Sequence, residues 1–207
     1  MGHRPLVSVI TPTWQRATLL LDAVCNLREQ TYRPLEHVVV SDGPDPALRA
    51  IRSDLGGEPD GVTTRFVELG RNWSSVLPNG FGIAPLTVGM LMACGEYQMW
   101  LCDDERMAPD HIASLVDAIE AGGAGFAYSR VRMHWVGQPP EQGWEIGTDP
   151  PRWGQITNFL YRTELLASAL PAWDGHPVDW TLPQSWIAGG ATWAFTGRTT
   201  ITHRADR

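Results

Sequence analysis

The chain has 207 residues, with 16 arginines, no lysine and 23 acidic residues, giving a formal net charge of -7 and a pI near 5.3. That length fits one domain with a proper hydrophobic core, and the acidic balance argues against a polyanion-binding surface, so no nucleic acid partner is expected. No apolar run approaches the ~20 residues of a membrane span. Cys25, Cys94 and Cys102 have no CxxC spacing, so the sequence predicts a soluble, cytoplasmic protein without a disulfide framework or a zinc site.

Residues 6–11 form a short β-prone run stopped by Pro12 and read as a buried strand. Over 16–30, Ala17, Leu20, Val24 and Leu27 recur at helical spacing. A second buried strand, 36–41, carries Val38, Val39 and Val40 and closes at Asp42-Gly43-Pro44. Residues 46–55 read as a short helix, 63–69 as a strand and 83–93 as a helix. Gly95-Glu96 is a turn leading into a strand over 97–102. Pro109 opens a helix in which Ile112, Leu115, Val116 and Ile119 make one apolar stripe, and 124–133 is a further strand. This alternation predicts right-handed crossovers and an α/β fold with a mainly parallel central sheet flanked by helices. The character changes at Gly137: 138–151 is polar and proline-rich, hence a loop. Seven of the ten tryptophans lie from Trp135 onward.

The most informative stretch is Met99-Trp100-Leu101-Cys102-Asp103-Asp104-Glu105, an apolar run that breaks into three acids. Adjacent carboxylates at the C-terminal end of a strand suit a hard divalent cation. In open α/β sheets ligands bind beyond the carboxyl ends of strands, and Thr11, Asp42 and Asp103-Asp104 all fall at such ends. An acidic protein handling a diphosphate needs a local cation, because like charges ~4 Å apart cost about 4 kcal/mol at an effective dielectric near 20. The bland alternative for each of these aspartates is a turn residue.

Pro12-Thr13-Trp14-Gln15-Arg16 after the first strand, Ser41-Asp42-Gly43 after the second, and Gly95-Glu96-Tyr97 leading into Cys102-Asp103-Asp104-Glu105 come in a telling order. Together they resemble the GT-A nucleotide-diphospho-sugar transferases, specifically the family 2 glycosyltransferases. Val178-Asp179-Trp180, Gly189-Gly190 and 199–204 are similar to that family's C-terminal pattern. The resemblance implies a single compact GT-A (Rossmann-like) domain over 1–207. About 1–133 would be its nucleotide-binding half and about 134–207 its acceptor-binding half.

It also implies transfer of a sugar from a nucleotide-diphosphate donor, a UDP-sugar by this pattern, to a carbohydrate or other hydroxyl acceptor with inversion. Thr11 and Thr13 would line the nucleoside pocket, and Asp42 would accept a hydrogen bond from the base. Asp103 would face the ribose or the metal, and Asp104 would ligate Mn²⁺ or Mg²⁺ beside the diphosphate, with His203 completing the metal site. Asp179 would be the general base on the acceptor hydroxyl.

Arg71, in Gly70-Arg71-Asn72, either neutralises phosphate or decorates a loop. No arginine precedes the 83–93 helix where some relatives contact the base; Phe81 and Gly82 stand there. Asp174 rivals Asp179 as base, and Asp179 could instead only cap the helix over 180–187. Glu105 is either a supporting acid or simply exposed. Cys102 reads as a small buried hydrophobe. Trp193 reads as core, whereas Trp144 and Trp153 on the loop are better placed to stack on a sugar face. Two other functions compete with sugar transfer. Nucleotidyl transfer also uses paired carboxylates, but the Thr11-Pro12-Thr13-Trp14 loop is neither basic nor glycine-rich. A non-catalytic nucleotide-sugar-binding homologue is the other. The oligomeric state, homo-oligomer or monomer, and the stereochemistry are not set by fold or sequence.

Overall fold

The structure is a computed structural model that describes residues 3–54, 59–77, 82–152, 158–168, 170 and 178–205. Elements run in the order β1 (Val7–Thr13), α1 (Ala17–Arg28), β2 (Leu35–Ser41), α2 (Pro46–Asp54), β3 (Val62–Glu68), α3 (Ile83–Met92), β4 (Tyr97–Trp100), β5 (Glu105–Met107), α4 (His111–Gly122), β6 (Phe126–Trp135), β7 (Trp144–Ile146), β8 (Phe159–Arg162), α5 (Val178–Ala188) and β9 (Trp193–Ala205). The strands order as β3-β2-β1-β4-β8-β6-β9-β5, with β7 on β6.

The first four strands are parallel, as the strand–helix alternation predicts. Their carboxyl ends therefore open on one edge: Thr13 pairs with Ser41, and Ile10 with Trp100. Beyond β4 the sheet becomes mixed. β8 lies antiparallel between β4 and β6, β9 runs parallel to β6, and β5 pairs antiparallel with β9. β6 passes through residues 133 and 134, so the sequence on either side of that point shares one sheet.

Helices cover both faces of the sheet. Val7, Val9, Tyr97, Met99 and Ile201 pack with Leu27 of α1 and Leu115 and Ile119 of α4. On the opposite face Ile10, Val38, Val40 and Trp100 meet Leu86 and Met90 of α3 and Leu182 and Trp186 of α5. The helix α3 carries no charge and lies close to the sheet: a Cβ on Gly89 would stand 2.3 Å from the Ile10 side chain. Trp186 sits in an aromatic cluster with Phe159, Tyr161 and Phe126, ring centroids 4.8–5.9 Å away. Its indole N–H donates to the Leu165 carbonyl at 3.0 Å.

Several elements differ from the sequence expectations. The strand over 97–102 ends at Trp100. The 138–151 loop contains a 3₁₀ turn at Pro140–Gln142 and the short strand β7. The terminal run extends back to Trp193 in β9, interrupted near Gly197 (φ +67), where the pairing with β6 shifts register. Such a bulge breaks the period-2 pattern by which a strand is recognised. Asp179 lies within the first turn of α5. Asp174, Trp153 and Phe81 fall outside the described residues.

Candidate active site

The opened edge of the parallel strands holds a cleft of about 450 Å³. Its lining combines Thr13 at the end of β1 with Trp14 and Arg16 after it, Asp42 after β2, Asn72 and Ser74 after β3, Cys102, Asp103 and Asp104 after β4, and His203 from β9. Parallel strands collect these positions because each delivers its C-terminal residue to the same side.

Asp42 is buried, and its carboxylate accepts backbone N–H groups of Trp73 and Ser74, each at 2.9 Å. It thereby fixes the segment after β3. An ionised carboxylate offers about four acceptor sites, so these two bonds leave capacity for a ligand donor. Gly43 follows with φ +131, and a Cβ there would meet the Trp14 ring at 2.7 Å and the Asn72 nitrogen at 2.9 Å. Only glycine lets these two cleft walls close over the β2 terminus.

Arg16 is positioned by a turn in which Gln15 takes φ 52 and donates its N–H to buried Asp45 at 3.0 Å. The guanidinium spans the diacid, with Nη1 2.8 Å from Asp103 Oδ1 and Nη2 3.2 Å from Asp104 Oδ2. The Thr13 hydroxyl donates to the other Asp103 oxygen at 3.0 Å. Burial pushes the Asp103 carboxyl up to about 6, against the opposing pull of Arg16 and the Thr13 hydrogen bond. Asp104 is the more open of the pair.

Glu105 is buried and held on three sides. One oxygen accepts the Cys102 N–H at 3.0 Å and the Asn158 amide at 3.2 Å, while the other lies 3.4 Å from His203 Nδ1, an ion-pair distance that is long for a hydrogen bond. Burial alone would lower the His203 pKa. Contact with Glu105, and the charges of Asp104 and Asp179, overcome that and raise it. Burial also pushes the Asp179 carboxyl up to about 6; backbone hydrogen bonds at the start of α5 oppose this, and the Glu105 charge adds to it. Cys102 lines the cleft with its thiol held protonated by burial and by the surrounding carboxylates.

Asp104 and His203 thus bring a hard oxygen donor and an imidazole to one cleft. A small divalent cation commonly takes one or two carboxylates and completes its shell with water and substrate phosphate, and this pair fits that mode. Among the described residues no group of three His, Cys, Asp or Glu is arranged to hold a metal alone. Glu105 lies beside His203 Nδ1, the side of the ring on which a carboxylate commonly supports a histidine that binds metal through its other nitrogen.

Of the residues singled out from sequence, Thr13, Asp42, Asp103, Asp104 and His203 line the one cleft. Thr11 does not: it is fully buried, its hydroxyl 2.9 Å from His37 Nε2. Its partner lies on β2, inside the sheet, whereas Thr13 is the last residue of β1. Arg71 is exposed, 5.4 Å over the Trp73 ring and outside the lining. Asp179 is not among the lining residues, but its charge reaches Cys102 and His203. Trp144 is exposed and packs on Trp135 at 5.0 Å, and Trp193 is partly buried with its N–H on Asp149. Arg16, Asn72 and Ser74 were not singled out from sequence. The only signal for Arg16 was its place in the loop after the first strand.

No described helix is long and apolar enough to cross a membrane. Comparison with known proteins agrees with this geometry. The glucosyl-dolichyl phosphate glucuronosyltransferase of Haloferax volcanii is 28% identical over 155 residues, covering 72% of this chain and 46% of that protein. S. aureus TarS 1-349 in complex with UDP superimposes with a TM-score of 0.72 at 17% identity, over 97% of this chain and 60% of that one. The mannosyltransferase PcManGT from Pyrobaculum calidifontis, in complex with GDP-Man and Mn²⁺, gives a TM-score of 0.65 at 20% identity, over 97% and 57%. At these identities the two structures establish the GT-A fold. The chain spans between 15% and 46% of the length of the curated relatives it matches. The family model described as glycosyl transferase family 2 matches residues 8–168, and the chain belongs to that family.

Proposed function

We propose that this chain is a metal-dependent glycosyltransferase that moves a sugar from a nucleotide-diphosphate donor to a hydroxyl acceptor with inversion. The observation that carries this reading is the convergence of Asp42, Asp103, Asp104 and His203, from three separate strands, on one cleft. Bound nucleotides or nucleotide sugars in the TarS and PcManGT structures support it.

Thr13, Asp42 and Asp103 hold the nucleoside end of the donor, turning binding energy into alignment. Asp42 can accept from uracil N3–H or guanine N1–H alike, so its carboxylate does not choose between these bases. Asp104 and His203 would hold Mn²⁺ or Mg²⁺, which when bound stabilises the charge on the departing diphosphate. Asp179 accepts the acceptor hydroxyl proton as that oxygen bonds to the anomeric carbon and the bond to the diphosphate breaks, releasing nucleoside diphosphate. A carboxyl raised to about 6 is ionised at neutral pH yet basic enough to take a proton. The free thiols of Cys25, Cys94 and Cys102 support a reducing, cytoplasmic setting.

On a donor and acceptor pair that the protein turns over, Asp179→Asn should lower kcat by about 10²–10⁴-fold with little change in donor KM. Wild-type turnover in both Asp179→Asn and Asp104→Ala would refute the assignment.

A further inference from the structure

Arg16 holds the position that a divalent cation would have to contest. Its two terminal nitrogens reach Asp103 Oδ1 at 2.8 Å and Asp104 Oδ2 at 3.2 Å, so one guanidinium bridges the carboxylates as an ion would. The side chain is 39% exposed, so this contact is made at the cleft surface and the arginine has room to change partners. Among the described residues lining the cleft, Arg16 is the one arginine, against Asp42, Asp103 and Asp104. A diphosphate entering here meets three carboxylates and has that single guanidinium to turn to. The planar fork of an arginine matches phosphate oxygens as well as it matches carboxylates.

We propose that Arg16 is a built-in counter-ion that excludes the divalent cation from Asp104 until a diphosphate draws it away, so that metal and donor bind cooperatively. The proposal rests on the metal reading of Asp104 and His203 given above. In the free protein the guanidinium occupies one oxygen of each carboxylate, offsets part of their charge and stands in the way of an incoming cation. When the donor arrives, its phosphate oxygens offer Arg16 a new partner within the same cleft, and Asp104 Oδ2 is released. By linkage, the donor then tightens metal binding by the same factor as metal tightens donor binding. The arrangement keeps the diacid from capturing a metal ion without substrate.

Two single-ligand titrations test this free of metal–nucleotide complexes, and a third, Mn²⁺ into each protein with UDP or GDP present and corrected by a protein-free blank, shows whether the metal binds at all. Mn²⁺ alone is titrated into wild type and Arg16→Ala and followed by the electron paramagnetic resonance signal of free Mn²⁺. UDP and GDP are titrated separately in EDTA by calorimetry. Arg16→Ala should bind Mn²⁺ at least about tenfold more tightly than wild type and bind the diphosphate more weakly, two shifts of opposite sign. Arg16→Gln, which keeps a polar side chain, should shift both in the same directions and serves if the alanine variant does not fold. Unchanged or weaker Mn²⁺ binding in the folded variants, with wild type binding Mn²⁺ in the presence of diphosphate, would overturn the proposal alone. No Mn²⁺ binding by any of these proteins, even with diphosphate present, would remove the metal reading and this proposal together.

Discussion

His203 stands directly opposite Glu105 in the β5–β9 ladder, with its Nδ1 3.4 Å from Glu105 Oε1. Strand pairing sets this juxtaposition: β9 is clamped between β5 and β6, so a histidine near the C-terminal end of the described chain is anchored as firmly as a core residue. Glu105 is in turn fixed by Cys102 and Asn158.

If this carboxylate orients His203 toward a cation, Glu105→Gln should weaken Mn²⁺ affinity measured with diphosphate present by about 10–100-fold. His203→Ala should do at least as much. Mn²⁺ affinities unchanged in both variants would take His203 out of the metal site.

If Asp179 is the general base proposed above, the pH dependence of turnover follows from it. Its carboxyl lies at about 6, raised from its ordinary value, and the base must be ionised. Activity should therefore be full above neutrality and fall roughly tenfold per pH unit below about pH 6. The residual activity of Asp179→Asn should lack the part of that limb due to Asp179, while Asp103, also near 6, keeps its own contribution to donor binding. A kcat profile flat from pH 7 to 5 would contradict the role of Asp179.

Stability responds to acid through His37, which is fully buried and held at about 3 by burial, with the Arg28 charge adding. Its unfolded value is near 6.5, so between these limits the unfolded chain binds the extra proton and stability is lost as pH falls. The loss attributable to His37 approaches about 1.4 kcal/mol per pH unit inside that window. Denaturant melts of wild type and His37→Gln at pH 7, 6, 5 and 4 should show the difference between the two proteins shifting in favour of the variant on acidification. A constant difference would show that His37 does not titrate on unfolding.

Gly43→Ala probes the link between backbone and cleft. The new methyl would press on Trp14 and on the Asn72 backbone at a φ of +131. We expect a loss of about 1–3 kcal/mol of stability together with weaker nucleoside diphosphate binding, read by thermal melts and calorimetry on the same protein. Wild-type binding in a folded variant would detach these walls from the donor site.

Much of this arrangement was legible in the sequence because it rests on local patterns. Val38-Val39-Val40 closed by Asp42-Gly43, and Met99-Trp100-Leu101 broken by Asp103-Asp104, mark strand ends by composition alone, and parallel pairing brings them together. The short strands β5, β7 and β8 were not legible, because three or four residues carry too little periodicity to distinguish strand from loop. Arg16 was missed for a different reason: its partner Asp104 lies 88 positions away, and an arginine in a loop carries no sign of what it will meet. The fate of Thr11 depended on His37 across the β1–β2 ladder, a tertiary neighbour that outweighs its place near a strand end. Glu105 could be read either way from sequence and was settled by burial beside Asn158 and His203.

The central claim, a nucleoside diphosphate held through a divalent cation by Asp104 and His203, is tested most directly by a thermal-shift panel. UDP, GDP, ADP and CDP are each added to the protein with and without Mn²⁺. At a concentration of 100 Kd a ligand stabilises the native state by about 2.7 kcal/mol. UDP or GDP should raise Tm in the presence of Mn²⁺ and far less without it, and Asp104→Asn should lose the metal-dependent part. Equal stabilisation with and without Mn²⁺, or none by any of the four diphosphates, would contradict it.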